Sequence, residues 1–249
     1  MGIRERQERD RHEIRRAILD AARALFVQEG FANVSLRRIA ERIEYSPATI
    51  YNYFPNKDAI LCALAHEGFD LMAKFRPRPT LDQLAPLEAV RIVLRRIYEF
   101  SKEHPEYFAL MFFERSIPRL AREHAQFESL LEHKRKLMSF LERYADGHTF
   151  PAALSPVAMF RVLSMGVFGV AALRLAGRVS DRAADRLATD TVEAAIAGLR
   201  SGCPISYEAD LDPAFSPATT ATTARPARAR RSARPRPAAA RARTPDRVR

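Results

Sequence analysis

The side chains of this 249-residue chain best placed to do chemistry are hydrogen-bonding groups rather than reactive ones. Ser46, Thr49, Tyr51, Asn52 and Tyr53 crowd into one short segment of the stretch SLRRIAERIEYSPATIYNYFPNK, from Ser35 to Lys57. The sequence contains no HExxH, no GxSxG, no glycine-rich phosphate loop and no His/Cys/Asp set at helical spacing that would give such groups a catalytic partner. Hydroxyls, an amide and phenols on one outward face can instead bond base edges in a DNA major groove and reach phosphates. The reading is therefore of a binding surface and not of an enzyme, with no cofactor and no metal.

Two short helices must present that face. Leu36, Ile39, Ala40 and Ile43 fall at i, i+3, i+4 and i+7, one apolar side of a helix with Ser35 as its N-cap. A second helix is expected to start at Ser46, with Pro47 in the tolerated first position. Ile50 and Phe54 would point inward, which turns Pro47, Ala48, Thr49, Tyr51, Asn52 and Tyr53 outward. By spacing alone an ordinary helical hairpin with a wet face fits equally well.

The residue types narrow the choice. GFANVSLRRIAERIEYSPATIYNYFPNKDAIL resembles the N-terminal DNA-binding domain of the TetR family of bacterial transcriptional regulators. The resemblance rests on Gly30-Phe31, Ser35, Ile39-Ala40, Ser46, Thr49, Tyr51-x-Tyr53-Phe54 and Lys57. It implies an all-α fold of about nine helices: a three-helix helix-turn-helix head and a C-terminal helical domain for ligand binding and dimerisation. It further implies DNA contacts from Ser35, Arg37 and Arg38, from Ser46, Pro47, Ala48, Thr49, Tyr51, Asn52 and Tyr53, and from Lys57 at the next helix start. Family members usually carry glycine in the turn where this chain has Glu44. A positive φ there would cost about 1 kcal/mol.

Charge has to be divided before it is used. From residue 218 onward ten arginines face the single acid Asp246, so the tail carries +9 of the formal +11. Residues 1–72 hold 11 basic and 11 acidic groups and are neutral, so DNA affinity in the head depends on where Arg37, Arg38, Lys57 and the basic residues from Arg11 to Arg16 sit. Cys62 and Cys203 are far apart and have no neighbouring ligand types, which suits a reducing cytoplasm and argues against a disulfide framework or a zinc site. The N-terminus has no apolar run of the secretory kind. Val162–Leu173, between two arginines, reads as too short to cross a membrane, so no membrane partner is expected.

In chain order, the sequence predicts a mobile arm over 1–10, the head over 11–56, a connecting helix over 57–75, an effector-binding and dimerisation domain over 76–202, and a disordered Arg/Pro/Ala-rich tail over 203–249. Within 76–202, helices are expected at about 87–102, 105–113, 120–144, 155–177 and 180–199. Tyr98, Tyr107, Phe108, Met111, Phe112, Met138, Met159 and Phe168 could be core, or could line a pocket for a small apolar or amphipathic effector. Leu163, Gly166, Val170, Leu187, Thr191 and Ala195 on the last two helices are candidates for a homodimer interface, the alternative being packing within the chain. The expectation is a ligand-responsive regulator, most naturally a repressor, that binds a palindromic operator on double-stranded DNA as a dimer. The competing reading is a nonspecific nucleic-acid-binding protein that works mainly through its arginine-rich tail.

Overall fold

Helix-forming residues at 3.6-residue spacing dominate the chain, and the structure is built from helices accordingly. The computed structural model describes residues 2–75, 83–117, 119–120, 128–152 and 154–202, without the side chains of 3 and 128–134. The proline-broken segment 76–82 and the tail 203–249 therefore lie outside the described residues. The described residues form nine α-helices and one 3-10 turn: α1 (Ile3–Glu29), the 3-10 turn (Phe31–Asn33), α2 (Leu36–Arg42), α3 (Pro47–Tyr51), α4 (Lys57–Lys74), α5 (Pro86–Glu103), α6 (Pro105–Phe112), α7 (Glu128–Glu142), α8 (Pro156–Leu175) and α9 (Asp181–Arg200). No strand occurs among the described residues.

α1 begins at Ile3, so residues 3–10 continue the helix where the sequence suggested a separate arm. Arg, Glu and Gln are good helix formers, and this segment alternates their charges, so it can extend a helix without a core beneath it. Ile18, Ala22, Leu25 and Phe26 of α1 then share one buried core with Ile39 and Ala40 of α2, Ile50 of α3 and Phe54 just after it. Gly30 ends α1 with its amide on the Phe26 carbonyl, and Phe31 packs edge-on against Phe26 at 5.1 Å.

α4 leaves this head and packs against α1, α6 and α7. Its tightest crossing is at Gly68, where a Cβ would come within 2.6 Å of the Met111 sulfur and 3.1 Å of the Tyr107 ring. α8 packs against α5, α7 and α9. This corrects the estimate from the 12-residue run: Pro156–Leu175 is long and apolar enough, by length and composition alone, to cross a membrane. In the structure it is the central helix of the C-terminal bundle, with under half of its residues buried within this chain.

The turn between α2 and α3 holds the one non-glycine residue with positive φ among the described residues, Glu44 at 59°. Its neighbours close the end of α2, with the Tyr45 amide on the Ala40 carbonyl at 3.0 Å and the Glu44 amide on Glu41 at 3.3 Å. Replacing Glu44 with glycine removes a Cβ from a left-handed conformation, and should stabilise the chain by about 1 kcal/mol. Urea denaturation followed by circular dichroism measures this, and a lower midpoint for Glu44→Gly would contradict it.

Candidate nucleic-acid interface

α2 and α3 are too short to persist on sequence propensity alone, so their ends and their inner faces have to fix them. The Ser35 hydroxyl accepts the Arg38 amide at 3.1 Å and caps α2. The Ser46 hydroxyl accepts the Thr49 amide at 3.2 Å and shares a 2.9 Å bond with the Thr49 hydroxyl, with Pro47 in the first turn of α3. Ile50 and Phe54 are buried beneath, as their spacing indicated. Pro47, Ala48 and Asn52 are exposed, Thr49 and Tyr53 are half-buried, and Tyr51 is 58% exposed.

The outward face contains one group the sequence reading left out. Tyr45, just before the Ser46 cap, is also an exposed large side chain and gives the segment a second exposed phenol with Tyr51. It follows Glu44, whose positive φ ends the turn after α2. At the far end of α3 the Arg11 guanidinium stands 6.0 Å over the Tyr53 ring and Arg15 stands 5.2 Å over Phe54. The start of α1 thus flanks α3 with two cations.

The other basic residues differ in how free they are. Arg37 is exposed and pairs with Glu41 one turn on at 3.1 Å. Arg38 pairs with Glu29 at 3.1 Å, tying α2 back to α1. Such exposed pairs are weak, and either arginine can exchange its partner for a phosphate at small cost. Lys57 is different. Its ammonium donates to the carbonyls of Phe31 at 2.6 Å, Val34 at 2.8 Å and Ala32 at 3.3 Å, and lies 4.4 Å over the Phe31 ring. It caps the carbonyl end of the 3-10 turn and so fixes the segment leading into α2. Asn56, just before it, accepts the Ala59 amide at 2.8 Å and caps α4.

A charged cluster connects this head to the C-terminal helices. Arg16 of α1 bonds Asp20 at 2.6 Å, and also Glu67 of α4. Arg23 of α1 donates to Glu106 at 2.8 Å and to the Tyr107 hydroxyl at 2.7 Å, both on α6. Its hydrogen bond to Arg16 holds the Asp20 carboxyl below the usual range, and burial pushes the Tyr107 phenol up. A second tie runs from Arg119 to Asp58 in the first turn of α4, at 3.0 Å.

The eight aromatic and methionine positions considered for a pocket fall into separate settings. Phe108, Phe112 and Phe168 come together, with ring centroids 4.8 to 5.9 Å apart. Met159 is buried and Met138 half-buried. Tyr107 and Met111 belong to the α4–α6 crossing at Gly68. Tyr98 faces away from the ring cluster, with its hydroxyl on Asp185 of α9 at 2.9 Å. No group of three or more His, Cys, Asp or Glu side chains poised for a metal occurs among the described residues.

The six positions considered for a dimer interface also divide. Leu163 and Val170 are buried within the chain, and Gly166 lies against Thr191 where α8 crosses α9. Leu187 is exposed and Ala195 half-buried. The large apolar groups left open on these helices are Met165 at 54%, Leu173 at 44% and Leu187 at 37%, with open space over Gly169.

Comparison with known proteins agrees with this geometry. Residues 18–64 match the model for bacterial regulatory proteins of the tetR family, and residues 90–199 match the tetracyclin repressor-like C-terminal domain. The chain is 39% identical over 67 residues to the HTH-type transcriptional repressor Rv1474c of Mycobacterium tuberculosis, covering 27% of this chain and 36% of that protein. It is 32% identical over 96 residues to the HTH-type transcriptional regulator RutR of Escherichia coli, covering 37% and 43%. These matches thus span less than half the length of the relatives. The fold is similar to that of the fatty acid degradation regulator FadR from Bacillus halodurans, with a TM-score of 0.59, 18% identity and coverage of 75% of this chain and 96% of that one.

The three carbonyl contacts make Lys57 a structural group of the free protein. Lys57→Gln should lower the stability of the DNA-free chain by about 1–3 kcal/mol, the usual effect of removing a charged donor from partly buried acceptors. Thermal denaturation without DNA tests this, and an unchanged midpoint would show that the ammonium contributes nothing before DNA arrives.

Proposed function

This chain belongs to the TetR family of bacterial transcriptional regulators, and we propose that it is a ligand-responsive repressor acting on double-stranded DNA in the cytoplasm. The reading is carried by the outward face of α3. A five-residue helix, capped by Ser46 and anchored by Ile50 and Phe54, displays Thr49, Tyr51 and Asn52 with Tyr45 alongside. Small residues at Pro47 and Ala48 leave room for base edges, and the hydroxyls and amide can exchange hydrogen bonds with them. Phosphates on either side would be met by Arg37 and Arg38, by Arg11 and Arg15, and by the amides at the start of α4 next to Lys57.

A single five-residue helix reads too few base pairs for useful specificity, so the proposal requires two copies on an inverted repeat. The exposed row of Met165, Gly169 and Leu173 on α8, with Leu187 on α9, supports a two-fold interface in which the partner supplies the other half of a four-helix bundle. Half-sites would then lie about one helical turn, roughly 34–36 Å, apart or a multiple of it. Release needs a small apolar or amphipathic effector that favours one arrangement of the C-terminal helices over another. Phe108, Phe112 and Phe168 offer it an apolar surface. Their displacement would reach the head through α6, since Arg23 holds Glu106 and Tyr107 while Gly68 of α4 lies against Met111. The family is one of regulators rather than enzymes, and the pattern of groups here agrees with that.

Selection from random duplexes should recover an inverted repeat, against which variants can be measured. Tyr51→Ala and Thr49→Ala should each weaken that site by about 1–3 kcal/mol per lost base contact while leaving random-duplex affinity and its salt dependence nearly unchanged. Deleting residues 203–249 should preserve this preference. If the deletion abolishes nearly all binding, the arginine-rich tail is the binding element and the proposal fails.

The oligomer is tested separately. Met165→Glu combined with Leu173→Glu places two charges in the exposed row and should convert a dimer to a folded monomer in analytical ultracentrifugation, with operator affinity lost at the same protein concentration. A dimer of unchanged stability would place the interface elsewhere.

A further inference from the structure

Away from the reading face and the aromatic cluster, α5 and α9 run antiparallel and are held together by a ladder of charges. Arg91 forms a two-pronged pair with Glu193 at 2.6 and 2.8 Å. Eleven residues along α5, the Lys102 ammonium bonds Asp185 at 2.7 Å, and the Tyr98 hydroxyl donates to the same carboxylate at 2.9 Å. Between these two rungs lies Arg95, on the same α5 stripe, and the register of the ladder sets it level with Thr189 of α9. Here the acid is missing. Arg95 has no hydrogen-bond or ion-pair partner among the described residues. The Thr189 hydroxyl gives its proton to the Asp185 carbonyl at 3.2 Å, which leaves its lone pairs directed outward.

The gap opens onto a cleft of about 250 Å3. Buried Leu94, Val167 and Val192 form an apolar floor. Its rim carries three cations, Arg91, Arg95 and Lys102, and three acids, Glu99, Asp185 and Glu193. Of these, Arg91, Lys102, Asp185 and Glu193 neutralise one another, and Glu99 has a partner of its own. A lone anion beside Arg95 would feel the flanking carboxylates of Asp185 and Glu193. A molecule that carries its own ammonium would not disturb the balance. Its carboxylate would accept from Arg95, its ammonium would donate to Thr189 and the flanking acids, and a short aliphatic side chain would cover the floor. The volume lies below the roughly 300 Å3 at which drug-sized pockets begin, which limits the occupant to a small metabolite.

We propose that the cleft between α5 and α9 is a binding site for a small aliphatic amino acid, with Arg95 as its carboxylate ligand. The site is separate from the aromatic cluster and does not depend on the regulatory reading above. Isothermal titration of the full chain with L-leucine, 4-methylpentanoate, 3-methylbutylamine and inorganic phosphate tests it. L-leucine is expected to bind, with the deaminated acid, the decarboxylated amine and phosphate each at least tenfold weaker. Arg95→Gln, on an exposed position, should weaken L-leucine at least tenfold, and Thr189→Val should narrow its advantage over 4-methylpentanoate. Absence of L-leucine binding, equal affinity for any of the other three probes, or an affinity unchanged by Arg95→Gln would each overturn the proposal. Binding of the selected DNA should be the same for Arg95→Gln as for the unmodified chain, so failure of the operator reading would show there and not in the titration.

Discussion

A five-residue helix cannot hold its shape in water, where isolated helices below about 12–15 residues are marginal. The organisation of the head follows from that constraint. α3 exists because Ile50 and the following Phe54 are buried in the shared core, because Ser46 and Pro47 fix its start, and because α2 is braced beside it. Each brace has its own support. Ser35 caps α2, Arg38 reaches back to Glu29, and the Lys57 ammonium gathers the three carbonyls that lead into α2. The outward face can therefore carry mostly polar groups, since burial of Ile50 and Phe54 and the Ser46–Thr49 cap hold the helix.

The same helices tie the head to the rest of the chain. α1 contributes its apolar side to the head and its charged side, through Arg16 and Arg23, to α4 and α6. A long helix shared in this way transmits rotation as a rigid element. At Gly68 the backbone of α4 comes close to Met111 and Tyr107, and packed cores of this kind prefer discrete arrangements to gradual bending. Arg119 on Asp58 holds the other end of α4. α4 is thus tied to α6 near Gly68 and to Arg119, which follows α6, at its first turn.

Some features were legible because they are local. The caps at Ser35 and Ser46 depend only on a side chain and an amide three residues on, and the structure forms both bonds. The unusual turn at Glu44 was legible only through the resemblance, which puts glycine where this chain has Glu44, and the structure gives that residue a φ of 59°. Other features were not legible because they are relations between helices. α8 is apolar on nearly all sides, so its pattern could not tell the side facing α5 from the side left open. Leu163 and Val170 turned inward, and Met165 and Leu173 remained exposed. The rings of the C-terminal region shared a composition but not a place, and Tyr98 went to Asp185 rather than to Phe108.

The sequence by itself determined that this is a helical chain of a regulator's family, where α3 begins, which of its residues face in, and that the head carries no net charge. Periodicity, capping and charge counting act within one or two turns, and that is the range over which a sequence is explicit. Tertiary structure decided what each polar group is committed to: Lys57 to carbonyls, Arg23 to α6, Arg91 and Lys102 to α9, and Arg95 to no partner among the described residues. Those commitments depend on which helices cross and in what register, and many distant residues set that together.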